Sequence, residues 1–208
     1  AEAEEGTYQA DVYQTFASRQ PGVLQSVESA LNSDTAFQDQ SEEMQEYLTY
    51  IVTYLQDQGI FDTTDVDSSD EIYNNWRNGT ISVKEYLQHA IDASWIQVSS
   101  LNLEEQYADT EEIYSALVSY VMERISISNT FQRLIYKYLI YNDVISGSQL
   151  CVILYEQGVL SYDEASVNAL KSGSTGAYSF LREKIRTLEI TPAQLALDPC
   201  TGSCVIMD

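Results

Sequence analysis

Trp76-Arg77-Asn78-Gly79-Thr80-Ile81-Ser82-Val83-Lys84-Glu85 reads in two ways, and the choice between them decides the fold. As the second half of a calcium loop, Gly79 makes the sharp turn, Ile81 enters the core and Glu85 closes on the ion, at the spacing of an EF-hand. That reading puts Asn74, Trp76 and Asn78 at the other ligand positions, so an indole stands where an oxygen is needed and only Glu85 brings charge. As a helix hinge, the same residues are in place: Gly79 ends one helix, Ile81 staples into the core, and Ser82 with Glu85 has the spacing of a capping box for the next.

A second copy favours the hinge. Ser69, Trp76, Gly79, Ile81, Ser82 and Glu85 recur as Ser148, Tyr155, Gly158, Leu160, Ser161 and Glu164, each 79 positions further on. At the three ligand positions the second copy has Ile153, Tyr155 and Gln157, which suit calcium still less. The residues that travel together are those a capped helix needs. Upstream, Ile51-Val52-Thr53-Tyr54-Leu55 matches Ile135-Tyr136-Lys137-Tyr138-Leu139, with extra residues in the first copy falling around the acidic stretch from Asp62 to Asp70. Two copies of helix, connector, short helix, glycine turn and capped helix imply a duplicated unit.

Apolar spacing outside the repeat agrees. Met44, Leu48, Ile51, Val52 and Leu55 fall on one helical face, as do Ile113, Leu117, Val121 and Ile125. Phe131, Leu134, Ile135, Tyr138 and Leu139 form a third stripe, and Leu181, Ile185 and Leu188 a fourth. Ser68 with Glu71 and Thr191-Pro192-Ala193-Gln194 have the spacing of helix starts. No segment alternates with period two over a strand's length. The expected fold is all-α, a bundle of about eight to ten helices on a two-fold internal repeat. Its segments are 1–40, an N-terminal helical stretch; 41–109 and 110–190, the two repeats; and 191–208, a capped turn and cysteine loop, packed as one compact domain.

The pattern of Trp76 to Glu85 and of Tyr155 to Glu164, an aromatic, then Gly, one residue, an aliphatic, Ser, two residues and Glu, resembles the phycobilisome rod-linker domain and a related repeat of unknown function in secreted and surface proteins of bacteria. The linkers are basic, so the secreted repeat is the nearer analogue for this acidic chain. The resemblance implies an all-helical surface module rather than an enzyme.

Charge narrows the environment. Ten Lys and Arg against 32 Asp and Glu leave a net charge of −22, which repels nucleic acid and anionic lipid surfaces. No apolar run has the length of a membrane span. The start, Ala1-Glu2-Ala3-Glu4-Glu5, reads as a mature end left by removal of a leader. Cys200 and Cys204 bracket a short flexible loop where a disulfide is expected, with a metal site as the sharper alternative, whereas Cys151 lies among apolar residues as a buried thiol. Acidity and the cysteine pair together point to an extracytoplasmic or cell-surface location.

Chemistry is sparse. His89, the one histidine, shares a helix with Tyr86, Leu87, Ala90 and Ile91 and reads as a partly buried structural group rather than a general base. The carboxylates of Asp62, Asp65, Asp67, Asp70 and Glu71 fall within one segment and offer hard oxygen ligands for calcium; the alternative is a solvated loop in which Ser68 or Ser69 caps a helix. Sixteen tyrosines, among them Tyr47, Tyr50, Tyr54, Tyr136, Tyr138 and Tyr141, flank the apolar stripes, where they serve the core margin or a protein or glycan contact. Asn78-Gly79-Thr80 is a glycosylation sequon, relevant in a eukaryotic secretory pathway. The expected function is a secreted, non-enzymatic structural or interaction protein within an extracellular or surface assembly, with a protein partner or self-assembly, no nucleic acid and no membrane insertion. No catalytic residue and no cofactor other than calcium is expected. The alternatives are a calcium-binding interaction module using residues 62–71 and a hydrolase working through two carboxylates.

Overall fold

A computed structural model of the chain describes residues 8–101, 109–142, 144 and 145. Among these residues every regular element is helical: α1 (Tyr8–Leu31), α2 (Glu42–Asp57), α3 (Glu71–Arg77), α4 (Val83–Asp92), α5 (Thr110–Ile125) and α6 (Asn129–Tyr141). Short 3-10 turns occupy Phe37–Asp39 and Val98–Leu101. The second copy of the repeat at Gly158, Ser161 and Glu164, the stripe of Leu181, Ile185 and Leu188, and all three cysteines lie outside the described residues.

Contacts group the described residues into two compact units, 24–128 in one and those of 8–23 with those from 129 onward in the other. Pro21 stands inside α1, where it lacks the N–H that would bond the carbonyl four residues earlier. In the second unit, Phe16 and Tyr136 stack at 4.3 Å, and both are buried along with Phe131, Ile135, Tyr138, Leu139 and Ile145. Leu134 of the expected stripe is only half buried.

In the 24–128 unit, α5 packs on α4 and on α2, and α3 packs on α4. By contact, α5 belongs with the helices before it. The reason is visible in the stripes: Leu48, Ile51, Val52 and Leu55 of α2, Leu87, Ala90 and Ile91 of α4, and Leu117, Val118, Val121 and Ile125 of α5 are all buried. Each large aliphatic side chain so buried is worth about 1.5–3 kcal/mol relative to exposure.

Helix ends set how these elements join. Ser41 starts α2, its Oγ accepting from Met44 N at 3.1 Å. At the far end of α2, Gly59 takes φ +71, with Gly59 N donating to Gln56 O and Ile60 N to Leu55 O, both at 3.0 Å. This pair of bonds is a Schellman motif. The chain leaving α2 then pairs with the chain leaving α4: Asp62 N donates to Trp95 O at 2.8 Å, Gln97 N to Ile60 O at 2.7 Å, and Phe61 and Ile96 form an isolated antiparallel bridge. One bridge needs no alternating pattern, so it leaves no periodic trace in the sequence.

A candidate interaction surface around the hinge

The hinge between α3 and α4 is a helix stop followed at once by a helix start. Asn78 caps the end of α3, Gly79 follows at φ +73, Gly79 N donates to Trp76 O at 2.9 Å, and Thr80 N donates to Asn75 O at 3.0 Å. Ile81 is buried, and Ser82 Oγ accepts from Glu85 N at 3.0 Å to start α4. A second stretch of chain clasps this turn from outside: Phe37 N donates to Ile81 O at 2.8 Å and Gln38 N to Gly79 O at 2.9 Å.

Four rings follow from that clasp. Phe37 meets the indole of Trp76 edge-on at 4.9 Å; Trp76 stacks on Tyr86 at 4.8 Å with planes 9° apart; Tyr86 meets Phe61 edge-on at 5.4 Å. Such geometries add specific attraction to area burial. Tyr86 and Phe61 are buried, whereas Phe37 and Trp76 are partly exposed. Burial, then the nearby Tyr73 and Asp70, pushes the Tyr86 hydroxyl well above the usual phenol range.

The acidic segment preceding α3 serves this local architecture. Asp62 Oδ1 accepts from Thr64 N at 2.9 Å and from the Thr64 hydroxyl. Asp67 Oδ1 accepts from Ser69 N and Ser69 Oγ, both at 2.8 Å. Asp70 is the N-cap of α3, its Oδ1 accepting from Tyr73 N at 2.7 Å. Neither Ser68 nor Ser69 is the N-cap: Ser69 is bound to Asp67, and the Ser68 carbonyl accepts from Asn74 Nδ2 at 2.8 Å. The spacing of Ser68 to Glu71 imitates a capping box, but an ionised Asp two positions on is the stronger acceptor for the helix amides. Asp65 and Glu71 are exposed. Among the described residues no three His, Cys, Asp or Glu side chains gather as a group that could hold a metal ion.

These hydrogen bonds hold the carboxyls ionised. Asp62 and Asp67 lie below the usual carboxylate range because Thr64 and Ser69 donate to them. Asp70 is lowered first by the Tyr73 amide; burial opposes this, and the neighbouring His89 lowers it further. His89 Nε2 lies 3.1 Å from Asp70 Oδ2, and the imidazole meets Trp95 edge-on at 5.0 Å. Tyr73 faces Trp95 at 6.4 Å, with the Arg77 guanidinium 5.7 Å from the Tyr73 ring. His89 is therefore a partly buried link between the last turn of α4 and the first of α3.

A second aromatic group lies on α2 and α5. Tyr50 and Tyr54 are 6.2 Å apart, the Tyr50 hydroxyl is 2.6 Å from Ser128 Oγ, and the Arg124 guanidinium lies 3.5 Å over the ring of Tyr120. Burial, then the neighbouring Tyr120, raises the Tyr54 hydroxyl above the ordinary phenol value, with Arg124 opposing. All three tyrosines are half buried. Ile127, which precedes Ser128 in the chain, is 78% exposed, the large apolar side chain that stands out into solvent among the described residues. A shallow groove of about 500 Å³ runs along α2, lined by Phe37, Glu42, Gln45, Glu46, Thr49, Tyr50 and Thr53. Tyr47 of the same helix is instead fully buried, its hydroxyl donating to Glu43 Oε1 at 2.8 Å. Tyr120, Arg124 and Ile127 carried no motif; the one trace of them was the Tyr120/Arg124 spacing of four on a helix, which puts both on one face.

No helix among the described residues is long and apolar enough to cross a membrane. Compared with known protein families, curated proteins and solved structures, the chain matches none.

Proposed function

We propose that this chain is a non-enzymatic, all-helical interaction protein, a module of an extracellular or surface assembly that docks a protein partner or a second copy of itself. The observation that carries the reading is the face formed by Tyr50, Tyr54, Tyr120 and Arg124, together with the exposed Ile127. Tyr and Arg are the residues enriched at protein interfaces, and half-buried rings bury further area with little loss of side-chain entropy. Among the described residues, the carboxyls whose affinity for protons is altered, Asp62, Asp67 and Asp70, are lowered, which is opposite to what a general acid at neutral pH requires. An extracellular setting accords with the net charge of −22 and with Cys200 and Cys204 as a disulfide pair.

The finer architecture belongs to the same proposal: eight to ten helices built from two copies, with Gly158, Ser161 and Glu164 repeating the roles of Gly79, Ser82 and Glu85. Gly158→Ala should then destabilise the chain as Gly79→Ala does, and equal stability to the parent chain would count against the repeat.

The deciding experiment is light scattering over a concentration series, with and without millimolar calcium, on the parent chain and on Tyr54→Ser/Tyr120→Ser/Ile127→Ser. Self-association of the parent that the triple variant loses supports docking through this face. A monomer at every concentration, indifferent to calcium, sinks self-assembly, and a mass that rises only with calcium moves the reading to residues 62–71.

A further inference from the structure

Asn78 is followed by Gly79, and this is the one Asn-Gly pair in the sequence. In such a pair the amide nitrogen of the glycine can attack the asparagine carboxamide carbon, because no side chain on the successor obstructs it. The bond from the Gly79 nitrogen to the Asn78 Cγ forms, the Cγ–Nδ2 bond breaks, and ammonia leaves with the amide proton. Water then opens the resulting cyclic imide at either carbonyl, giving aspartate or isoaspartate.

Asn78 is exposed, so water and base reach it. The fold nevertheless opposes ring closure. Asn78 has φ −86 and ψ −5, which places the Gly79 nitrogen beside Asn78 N and turns it well away from Cβ about the Cα–C bond, whereas ring closure needs it side by side with Cβ. The attacking amide is also engaged, donating to Trp76 O at 2.9 Å, while the Gly79 carbonyl accepts from Gln38 N at 2.9 Å. Turning the peptide into the reactive arrangement breaks both bonds and the Thr80 to Asn75 bond with them.

We propose that Asn78 is a latent deamidation site, held unreactive by the α3–α4 turn, and that its conversion loosens the hinge. Aspartate at this position puts a negative charge at the C-terminal end of α3, where the helix dipole disfavours it. Isoaspartate goes further, because it lengthens the backbone by one carbon inside a turn defined by bonds from Gly79 to Trp76 and from Thr80 to Asn75. It also shifts Gly79 and Ile81 out of register with Gln38 and Phe37, whose amides hold them. The reaction requires local opening, so its rate in the native chain reports how often this hinge opens.

The test incubates the full chain at mildly alkaline pH, folded and in urea, and maps acid and isoaspartate products by peptide mass spectrometry. Conversion at Asn78 is expected to run at least ~10-fold slower in the folded chain, the factor that an opening free energy of ~1.4 kcal/mol or more imposes. Equal rates in the two states, or no preference for Asn78 over other asparagines in urea, overturn the proposal. Asn78→Asp supplies the second arm: faster amide exchange at Gly79 to Ile81 supports the loosening, and exchange unchanged from the parent chain refutes it.

Discussion

Asp70 holds two helices at once: its Oδ1 accepts the Tyr73 amide that begins α3, and its Oδ2 lies 3.1 Å from Nε2 of His89 in the last turn of α4. Asp70→Ala removes the cap and is expected to cost about 1 kcal/mol, whereas Asp70→Asn keeps an acceptor for the Tyr73 amide and should cost less. The pH dependence follows from the direction of the shift. Because the folded state lowers the Asp70 pKa, the stability it contributes is present above the unfolded value, about 3.9, and is lost as pH falls through the folded value. Urea unfolding at neutral and acidic pH should show the parent chain losing more stability on acidification than Asp70→Asn.

Gly79 and Gly59 both sit at positive φ after a helix, and they differ in what surrounds them. A Cβ on Gly59 meets nothing within 4 Å, but one on Gly79 comes within 3.3 Å of Gln38 Cβ. Gly59→Ala should therefore cost only the left-handed penalty, about 1–2 kcal/mol, and Gly79→Ala that penalty plus displacement of the 37–38 segment. If the two variants unfold at the same urea concentration, the clasp contributes nothing to the hinge.

Ser94 ends α4 with the same pair of bonds, Ser94 N to Ile91 O at 3.1 Å and Trp95 N to Ala90 O at 2.8 Å, yet it is not glycine and takes φ 61. Ser94→Gly relieves this strain and should raise stability by up to about 1 kcal/mol, the greater freedom of glycine in the unfolded chain offsetting part of the gain. Thermal unfolding gives the sign directly; a lower midpoint contradicts the account of strain.

Tyr114 is buried in α5, and its hydroxyl donates to the carbonyl of Leu31 at the end of α1. Tyr114→Phe removes that donor and should cost about 1–2 kcal/mol. Burial raises the Tyr114 pKa in the folded state, so its contribution is full below the unfolded value of about 10 and declines as pH rises above it. Tyr86 acts in the same direction, by burial first. Unfolding at pH 8 and above 10 should show a loss of stability that is smaller in Tyr114→Phe.

Sequence reasoning reached the helices and the hinge because both are local. The stripe of Leu48, Ile51, Val52 and Leu55 is written at helical spacing, and Gly79, Ser82 and Glu85 carry the stop and start of two helices within seven residues. It failed at α3, where Ser68 and Glu71 have the spacing of a cap and Asp70 takes the role. Several acceptors stood in a row there, and the structure has Asp67 accept from Ser69 while Asp70 meets the Tyr73 amide. The tyrosines divided in the same way: Tyr47 and Tyr50 lie on one helix, yet Tyr47 is buried and Tyr50 stays half exposed.

The sequence by itself determined an acidic, all-helical chain with capped helices and a glycine hinge, because composition, helical period and capping act over a few neighbouring residues. Only the tertiary structure decided that residues 37–38 clasp Gly79 and Ile81, that Phe37, Trp76, Tyr86 and Phe61 share one cluster, and that Asp70 meets His89. Those contacts join segments far apart in the chain. They exist because burying the stripes of α2, α4 and α5 together fixes where each helix end can stand.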